Sequence, residues 1–424
     1  MSLRRLGIVG AGLMGAAVAA AALRRGLSVV LYDNDEAALA PARQRTLTQL
    51  RGDITAPYAQ RAVDSRLTLT HQPDFAGCDL VLESIVETLS AKKQVYQQVE
   101  PHLSPGALLA SNTSTIPIAQ LASGLRSPDR FCGLHFFHPV PRRPLVEIVR
   151  GPATSASTIA TATDLAKRIG KLPIAVADGP GFLVNRLLLP YLNEALDLLL
   201  EGADIDSVET AATRFGMALG PLRLLDEIGL DTALRAGMVL FSAFPNRIAA
   251  SPLLVPMVKQ GRLGRKTGAG FFRYAGPGDE RCLGPDPQAL ALIREWLRQS
   301  APPPREVITA RLFLPMLLEA TRVLEEGRVD TPRDIDLAVI LGLGFPAARG
   351  GLLCWADMLG PRGVLSRLAM LRSLGPRAEP TALLLKMAQS GARFYRRPIR
   401  GPLPVPARRP EPVIALVAGL RRPA

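Results

Sequence analysis

Residues 3–33, LRRLGIVGAGLMGAAVAAAALRRGLSVVLYD, carry the pattern from which the fold follows. Leu3 to Gly10 read as a short buried strand. Gly10, Gly12 and Gly15 then form G-A-G-L-M-G, with Leu13 and Met14 between the last two glycines, and an alanine-rich helix runs on to Gly26. Leu27 to Asp33 read as a second strand that ends in a carboxylate. Strand, glycine turn, helix, strand and acid in that order make a dinucleotide-binding unit, a far more specific signal than three glycines alone. The first glycine permits the tight turn, the second lets backbone approach a pyrophosphate, and the third lets helix and strand pack closely. The helix N-terminus faces the phosphates. Asp33 lies 18 residues beyond Gly15, where its carboxylate can accept from both ribose hydroxyls. Asn34, Asp35 and Glu36 offer no cation for a 2′-phosphate, so NAD is expected and not NADP.

Working outward, residues 35–63 read as helical, with a break near Gly52 to Pro57. Strands recur at RLTLT (66–70), CDLVLESIV (78–86) and ALLASN (107–112), with helical segments between them. This predicts an α/β, Rossmann-type, doubly wound parallel sheet over residues 1–180. Glu87 and Lys92 follow one strand and Ser111 to Thr115 follow another. Both groups therefore sit beyond the carboxyl ends of strands, where open α/β sheets bind ligands.

The stretch FCGLHFFHPVPRRPLVE, residues 131–147, sets His135 and Glu147 around a proline-rich turn. Removing a hydroxyl proton near neutral pH calls for a base such as imidazole. A neighbouring carboxylate fixes the imidazole tautomer and stabilises its protonated form. His135 and Glu147 are the candidates for that pair. After Glu147 a strand-like EIV and a helix (155–169) lead to a hinge at Asp178 to Gly181.

From Phe182 onward the β signal fades and leucine-rich helices replace it, with Asn185 at the start of the first. This region holds an internal repeat. Arg186-Leu-Leu-Leu-Pro-Tyr-Leu-Asn-Glu-Ala195 aligns with Arg311-Leu-Phe-Leu-Pro-Met-Leu-Leu-Glu-Ala320, and Glu201-Gly202 with Glu326-Gly327, at one offset of 125, and later Leu225-Asp226-Glu-Ile-Gly229 answers Ala356-Asp357-Met-Leu-Gly360. The expected organisation is two all-α modules, 181–275 and 305–397, joined by a Gly/Pro-rich linker with one short helix (276–304). A Pro/Arg-rich tail, extended or disordered, follows over 398–424.

At 424 residues the chain has room for two or three domains, and 48% hydrophobic residues without a polar low-complexity run mark it as folded. The four cysteines, Cys78, Cys132, Cys282 and Cys354, form no C-x-x-C pair, which argues against a disulfide framework or a metal site and fits a reducing cytoplasm. The basic, apolar N-terminus superficially resembles a signal peptide, but the glycine turn that runs straight into a second strand argues otherwise. No other stretch is apolar for long enough to span a membrane. The net charge of +14 is spread along the chain and aromatic content is 5%, which favours small anionic ligands over nucleic acid.

Taken together, GAGLMG, SNTSTIPI, RFCGLHFFHP, PLVEI, DGPGFLVNR, GRKTGAGFF, LEEG and GLGFP resemble the L-3-hydroxyacyl-CoA dehydrogenases. Across nearly the whole chain they are most similar to the dehydrogenase half of the multifunctional fatty-acid oxidation enzymes. The resemblance implies oxidation of a 3-hydroxyacyl-CoA to a 3-ketoacyl-CoA with NAD as acceptor. It implies that His135 is the general base, Glu147 its orienting partner, and Ser114 and Asn185 the donors that hold the hydroxyl and polarise the ketone. Asp33, Glu87, Lys92 and Lys266 match positions on the cofactor side. His138 stands where the family usually has Asn. No hydratase domain is expected ahead of the glycine turn, so a separate hydratase or thiolase subunit is a conceivable partner. In single-copy relatives the resemblance implies a helical two-fold dimer. A tandem copy, with Ala310 in place of Asn185, is expected to occupy that face from within the chain. Two other readings are a catalytically silent acyl-CoA-binding or assembly subunit, and a dehydrogenase for another hydroxy acid that uses a lysine base.

Overall fold

The apolar run Leu6–Val9 is buried along its length because it lies in the middle of a sheet with helices on both faces. In chain order this region forms β1 (Arg5–Val9), α1 (Leu13–Arg24), β2 (Ser28–Tyr32), α2 (Glu36–Arg51), α3 (Ala56–Arg66), β3 (Leu67–Thr70) and β4 (Leu80–Glu83). It continues with α4 (Leu89–Val99), β5 (Leu108–Ser111), α5 (Ile118–Ala122), β6 (Phe131–Phe136), β7 (Leu145–Arg150), α6 (Ala156–Arg168) and β8 (Leu172–Ala177). The computed structural model describes residues 3–51, 55–248, 251–298 and 301–396; the expected tail lies outside them, as does part of the break expected near Gly52. The chain divides between Phe182 and Leu183 into two compact units.

The eight strands of the first unit run β3-β2-β1-β4-β5-β6-β7-β8. The expected doubly wound parallel sheet is present with one pair reversed: β6 and β7 are antiparallel. The reason is length, because a parallel crossover needs a dozen or more residues and the Pro-rich stretch 137–144 permits only a hairpin. Helix α1 can lie close to the sheet because it is built from alanine and glycine, and Met14 to Leu23 are all buried. Strand order reverses between β1 and β4, so the loops after these two strands border the crevice where such sheets bind ligands.

The second unit contains α7 (Val184–Leu200), α8 (Ile205–Phe215), α9 (Pro221–Ile228), α10 (Leu230–Ala243) and α11 (Leu254–Lys259). A hairpin of β9 (Phe272–Tyr274) and β10 (Cys282–Pro285) follows, then α12 (Pro287–Glu295). The hairpin corrects the expectation of a linker with only a helix; its strands are too short for period-2 alternation to show. Next come α13 (Arg305–Glu325), α14 (Pro332–Leu343), α15 (Leu352–Leu359), α16 (Pro361–Ala369) and α17 (Ala382–Ser390).

The repeated helices α7 and α13 pack on each other. Phe215 of the first copy stacks on Phe313 of the second at 3.7 Å between ring centroids. Buried charges cross the same contact. Arg186 donates to Glu319 and Glu326, and Arg311 donates to Glu194 and Glu201, the residues 125 positions earlier. The duplication also reaches further than the sequence alignment above. Asp226 accepts the N–H groups of Phe271 and Phe272 in GAGFF (268–272), and Asp357 accepts those of Phe394 and Tyr395 in GARFY (391–395), all at 2.9 Å.

Candidate active site

The β6–β7 register places His135 directly opposite Glu147. Residues so paired project to the same face, and here Nδ1 of His135 lies 2.6 Å from Oε2 of Glu147. His135 is 2% exposed and Glu147 fully buried. A carboxylate only accepts, so it holds the proton on Nδ1 and leaves Nε2 as the basic nitrogen. The rings of Phe137 and Phe182, with centroids 4.5 and 5.8 Å from the imidazole, give it apolar walls.

Ser114 lies in the loop that follows β5, the strand beside β6. One oxygen, Oε1 of Glu87, receives that loop. It accepts the N–H groups of Ser114 (2.9 Å) and Thr115 (3.0 Å) and the hydroxyls of Thr113 (2.7 Å), Thr115 (3.1 Å) and Ser114 (3.3 Å). The Ser114 hydroxyl contact is the longest of the five, hence the one most readily redirected to a ligand. Burial works to raise the Glu87 pKa, but the Lys92 charge and these hydrogen bonds carry it below the ordinary carboxylate value.

Lys92 is 1% exposed, with its ammonium 2.6 Å from Glu83 and 3.3 Å from Glu87. Its charge also faces the carboxylate that holds the Ser114 loop. Glu83 also accepts from Tyr96, Ser111 and the Ile85 N–H. Sequence reasoning missed Glu83 and Tyr96; the available signal was an acid inside an apolar strand, nine positions before a lysine. Asn112, in the loop expected at a ligand-binding strand end, accepts the Phe136 N–H at 2.8 Å and donates to Ser84 at 3.2 Å, tying the ends of β4, β5 and β6 together.

At the glycine turn, Gly10 has φ +105°, and a Cβ there would lie 2.6 Å from the Ser84 carbonyl oxygen. A Cβ on Gly15 would meet the Gly10 carbonyl oxygen at 1.9 Å, so no side chain fits. Gly12 differs, with no atom within 4 Å of its missing Cβ. It caps α1, whose first N–H groups have no side-chain acceptor, so the turn offers both space and donors to a phosphate. The residues present fit NAD. Leu13 is 49% exposed at the turn, whereas Met14 is buried and has only its backbone to offer. Asp33 is fixed at the turn by the Ala11 N–H, 2.7 Å from its Oδ2, and by the Asp35 N–H on Oδ1. Arg45 of α2 reaches the Ala11 carbonyl at 3.2 Å, a cation the sequence reading passed over on a helix face.

Asn185 and Lys266 belong to the helical unit. Asn185 is the second residue of α7 and fully buried; Ala310 holds its place in α13. Lys266, in the turn Arg265–Thr267, pairs with Asp231. In the first unit, His138 is partly buried, and burial together with the Arg143 guanidinium lowers its pKa. Among the described residues no helix is long and apolar enough to cross a membrane.

Residues 5–179 match the family model for the NAD binding domain of 3-hydroxyacyl-CoA dehydrogenase, and residues 181–274 and 307–398 each match the C-terminal domain. Among solved structures, 3-hydroxybutyryl-CoA dehydrogenase from Escherichia coli K12 matches at 27% identity and a TM-score of 0.81, covering 92% of this chain and 100% of that one. (S)-3-hydroxybutyryl-CoA dehydrogenase PaaH1 from Ralstonia eutropha is 37% identical over 65% of this chain and all of that one, with a TM-score of 0.62. The dehydrogenase part of multifunctional enzyme 1 from C. elegans is 25% identical, covers 91% of this chain and 90% of that one, and has a TM-score of 0.63. With both family domains matched in order over nearly its whole length, and a glycine turn that fits NAD, the chain belongs to the 3-hydroxyacyl-CoA dehydrogenase family.

Proposed function

We propose that this protein oxidises (S)-3-hydroxyacyl-CoA to 3-ketoacyl-CoA, in fatty-acid β-oxidation or related acyl-CoA metabolism. The observation that carries the reading is the buried His135–Glu147 pair, which leaves Nε2 as a base between apolar rings. NAD, when bound, supplies the acceptor for the two electrons that leave C3. His135 takes the hydroxyl proton at Nε2, and Glu147 stabilises the imidazolium that results. Ser114 and Asn185 donate to the substrate oxygen, holding the alcohol in one direction and polarising the ketone in the other. The Gly10, Gly12 and Gly15 turn, with the N–H groups of Leu13 and Met14, holds the phosphates, and Asp33 holds the ribose. Glu87, with Lys92 behind it, keeps the Ser114 loop in place, and Lys266 serves the cofactor side from the helical unit.

Two of the matched structures are of dehydrogenases named for 3-hydroxybutyryl-CoA, so a short acyl chain is the first substrate to try. The test is NADH formation from a panel of 3-hydroxyacyl-CoAs from C4 to C16 together with 3-hydroxyadipyl-CoA. No NADH from any of them would leave the reading without support.

A further inference from the structure

The ion pairs that join the two helical copies mirror each other at Arg186 and Arg311, Glu194 and Glu319, and Glu201 and Glu326, but not throughout. On the first-copy side, Glu194, Asp197 and Glu201 face Arg311, Arg377 and Arg298. On the second-copy side, among the described residues, two acids, Glu319 and Glu326, face the three guanidiniums of Arg186, Arg247 and Arg322. The break is at Arg322, which stands where the first copy has Asp197. Arg322 is largely and Arg247 only partly withdrawn from water, and a surplus of like charge there favours a counter-charge.

That surplus borders a cleft of about 300 Å³, including the solvent at its mouth. Four arginines line it, Arg186, Arg247, Arg322 and Arg377, and Glu319 is its one acid. Arg186 is fully engaged, with Nε on Glu319 and both terminal nitrogens on Glu326. The other three are not. Arg247, Arg322 and Arg377 reach carboxylates through Nη1 alone, so Nε and Nη2 of each have no acceptor among the described residues. Arg186 and Arg247 each stack on the Phe244 ring at 4.8 Å, which restrains their planes. The two sides also differ in acidity. The Arg186 hydrogen bond and its neighbouring charges push the Glu326 pKa down to about 2, whereas burial raises that of Glu194 on the balanced side.

We propose that this cleft is an anion site for a phosphate-class oxyanion, held by the open guanidinium edges of Arg247, Arg322 and Arg377. Guanidinium forks match the paired oxygens of phosphate, and an oxyanion offsets the surplus positive charge.

The test is thermal unfolding of the full chain with saturating NAD, replacing sodium chloride by sodium phosphate at constant ionic strength. Stabilisation by a bound ligand grows with its concentration, so Tm should rise by about 2–4 °C at high phosphate for a unit of this size. Arg322→Gln and Arg322→Asp, the latter restoring the mirror residue, should abolish most of that rise, while Arg298→Gln should keep it. If Arg322→Asp does not fold, Arg322→Gln alone decides. A parallel titration with adenosine 3′,5′-bisphosphate separates a free ion from a phosphate carried on a nucleotide: an Arg322-dependent rise with either probe supports the site. No rise in the unmodified protein with either probe, or the same rise in Arg322→Gln, would overturn it.

Discussion

Arg186 and Arg311 make one ion pair in two directions: Arg186 Nε donates to Glu319 and Arg311 Nε donates to Glu194, each at 2.7 Å. Each donor stands in one copy and each acceptor in the other, as in a two-fold contact between separate subunits. Both arginine side chains are 3% exposed. Removing one partner from such a pair strands a buried charge, so Arg186→Met and Arg311→Met should each cost about 3–5 kcal/mol. Urea unfolding checks this. Adding Glu319→Met to Arg186→Met should deepen the loss, because Glu319 also pairs with Arg247 and Arg322.

His135→Gln should lower kcat by about two to four orders of magnitude, the range for losing a general acid–base, while NAD still binds. Glu147→Gln should reduce kcat as well, since an amide can no longer stabilise the imidazolium. His138→Asn should do far less. Steady-state kinetics on all three variants would show whether the base is assigned to the right ring.

Asp33→Ala should raise KM for NAD at least tenfold and narrow the margin over NADP, because this carboxylate organises the glycine turn and is proposed to hold the ribose. Initial rates with both cofactors at matched concentrations measure that margin. Equal rates in the unmodified protein would contradict the role given to Asp33.

Burial raises the carboxyls of Glu209, Asp226 and Asp336 to about 7, against the backbone N–H groups that favour their charged forms. In the unfolded chain the same groups titrate near 4, so between about pH 4 and pH 7 the folded state binds more protons. Their contribution is therefore full at the acid end of that window and declines as pH rises through it. Tm should be higher at pH 5.5 than at pH 8, and Asp336→Asn should flatten the difference while lowering Tm overall.

The nucleotide-binding half was legible because its constraints are local: Gly10 and Gly15 admit no side chain, and Asp33 ends a strand at a fixed distance from them. The His135–Glu147 pair was legible as chemistry but not as geometry. That they face each other depends on a hairpin whose return is too short for a crossover, a conclusion available from the prolines and not drawn. Glu83 and Lys92 were hidden for another reason. A buried charge network is defined by residues from β4, α4 and β5 meeting in space, and no periodicity within one segment encodes that. The repeat at Arg186 and Arg311 was visible, whereas its echo at GAGFF and GARFY was too short and too altered to stand out.

The covalent link between the two helical copies has a consequence for dilution. A two-fold contact between separate chains comes apart as protein concentration falls, because association competes with the freedom of two independent bodies. When both partners lie on one chain, each sees the other at a fixed local concentration, in the millimolar range for short tethers. The contact between α7 and α13 should therefore hold equally well in a crowded cell and in a nanomolar assay, with a melting temperature that does not move with protein concentration.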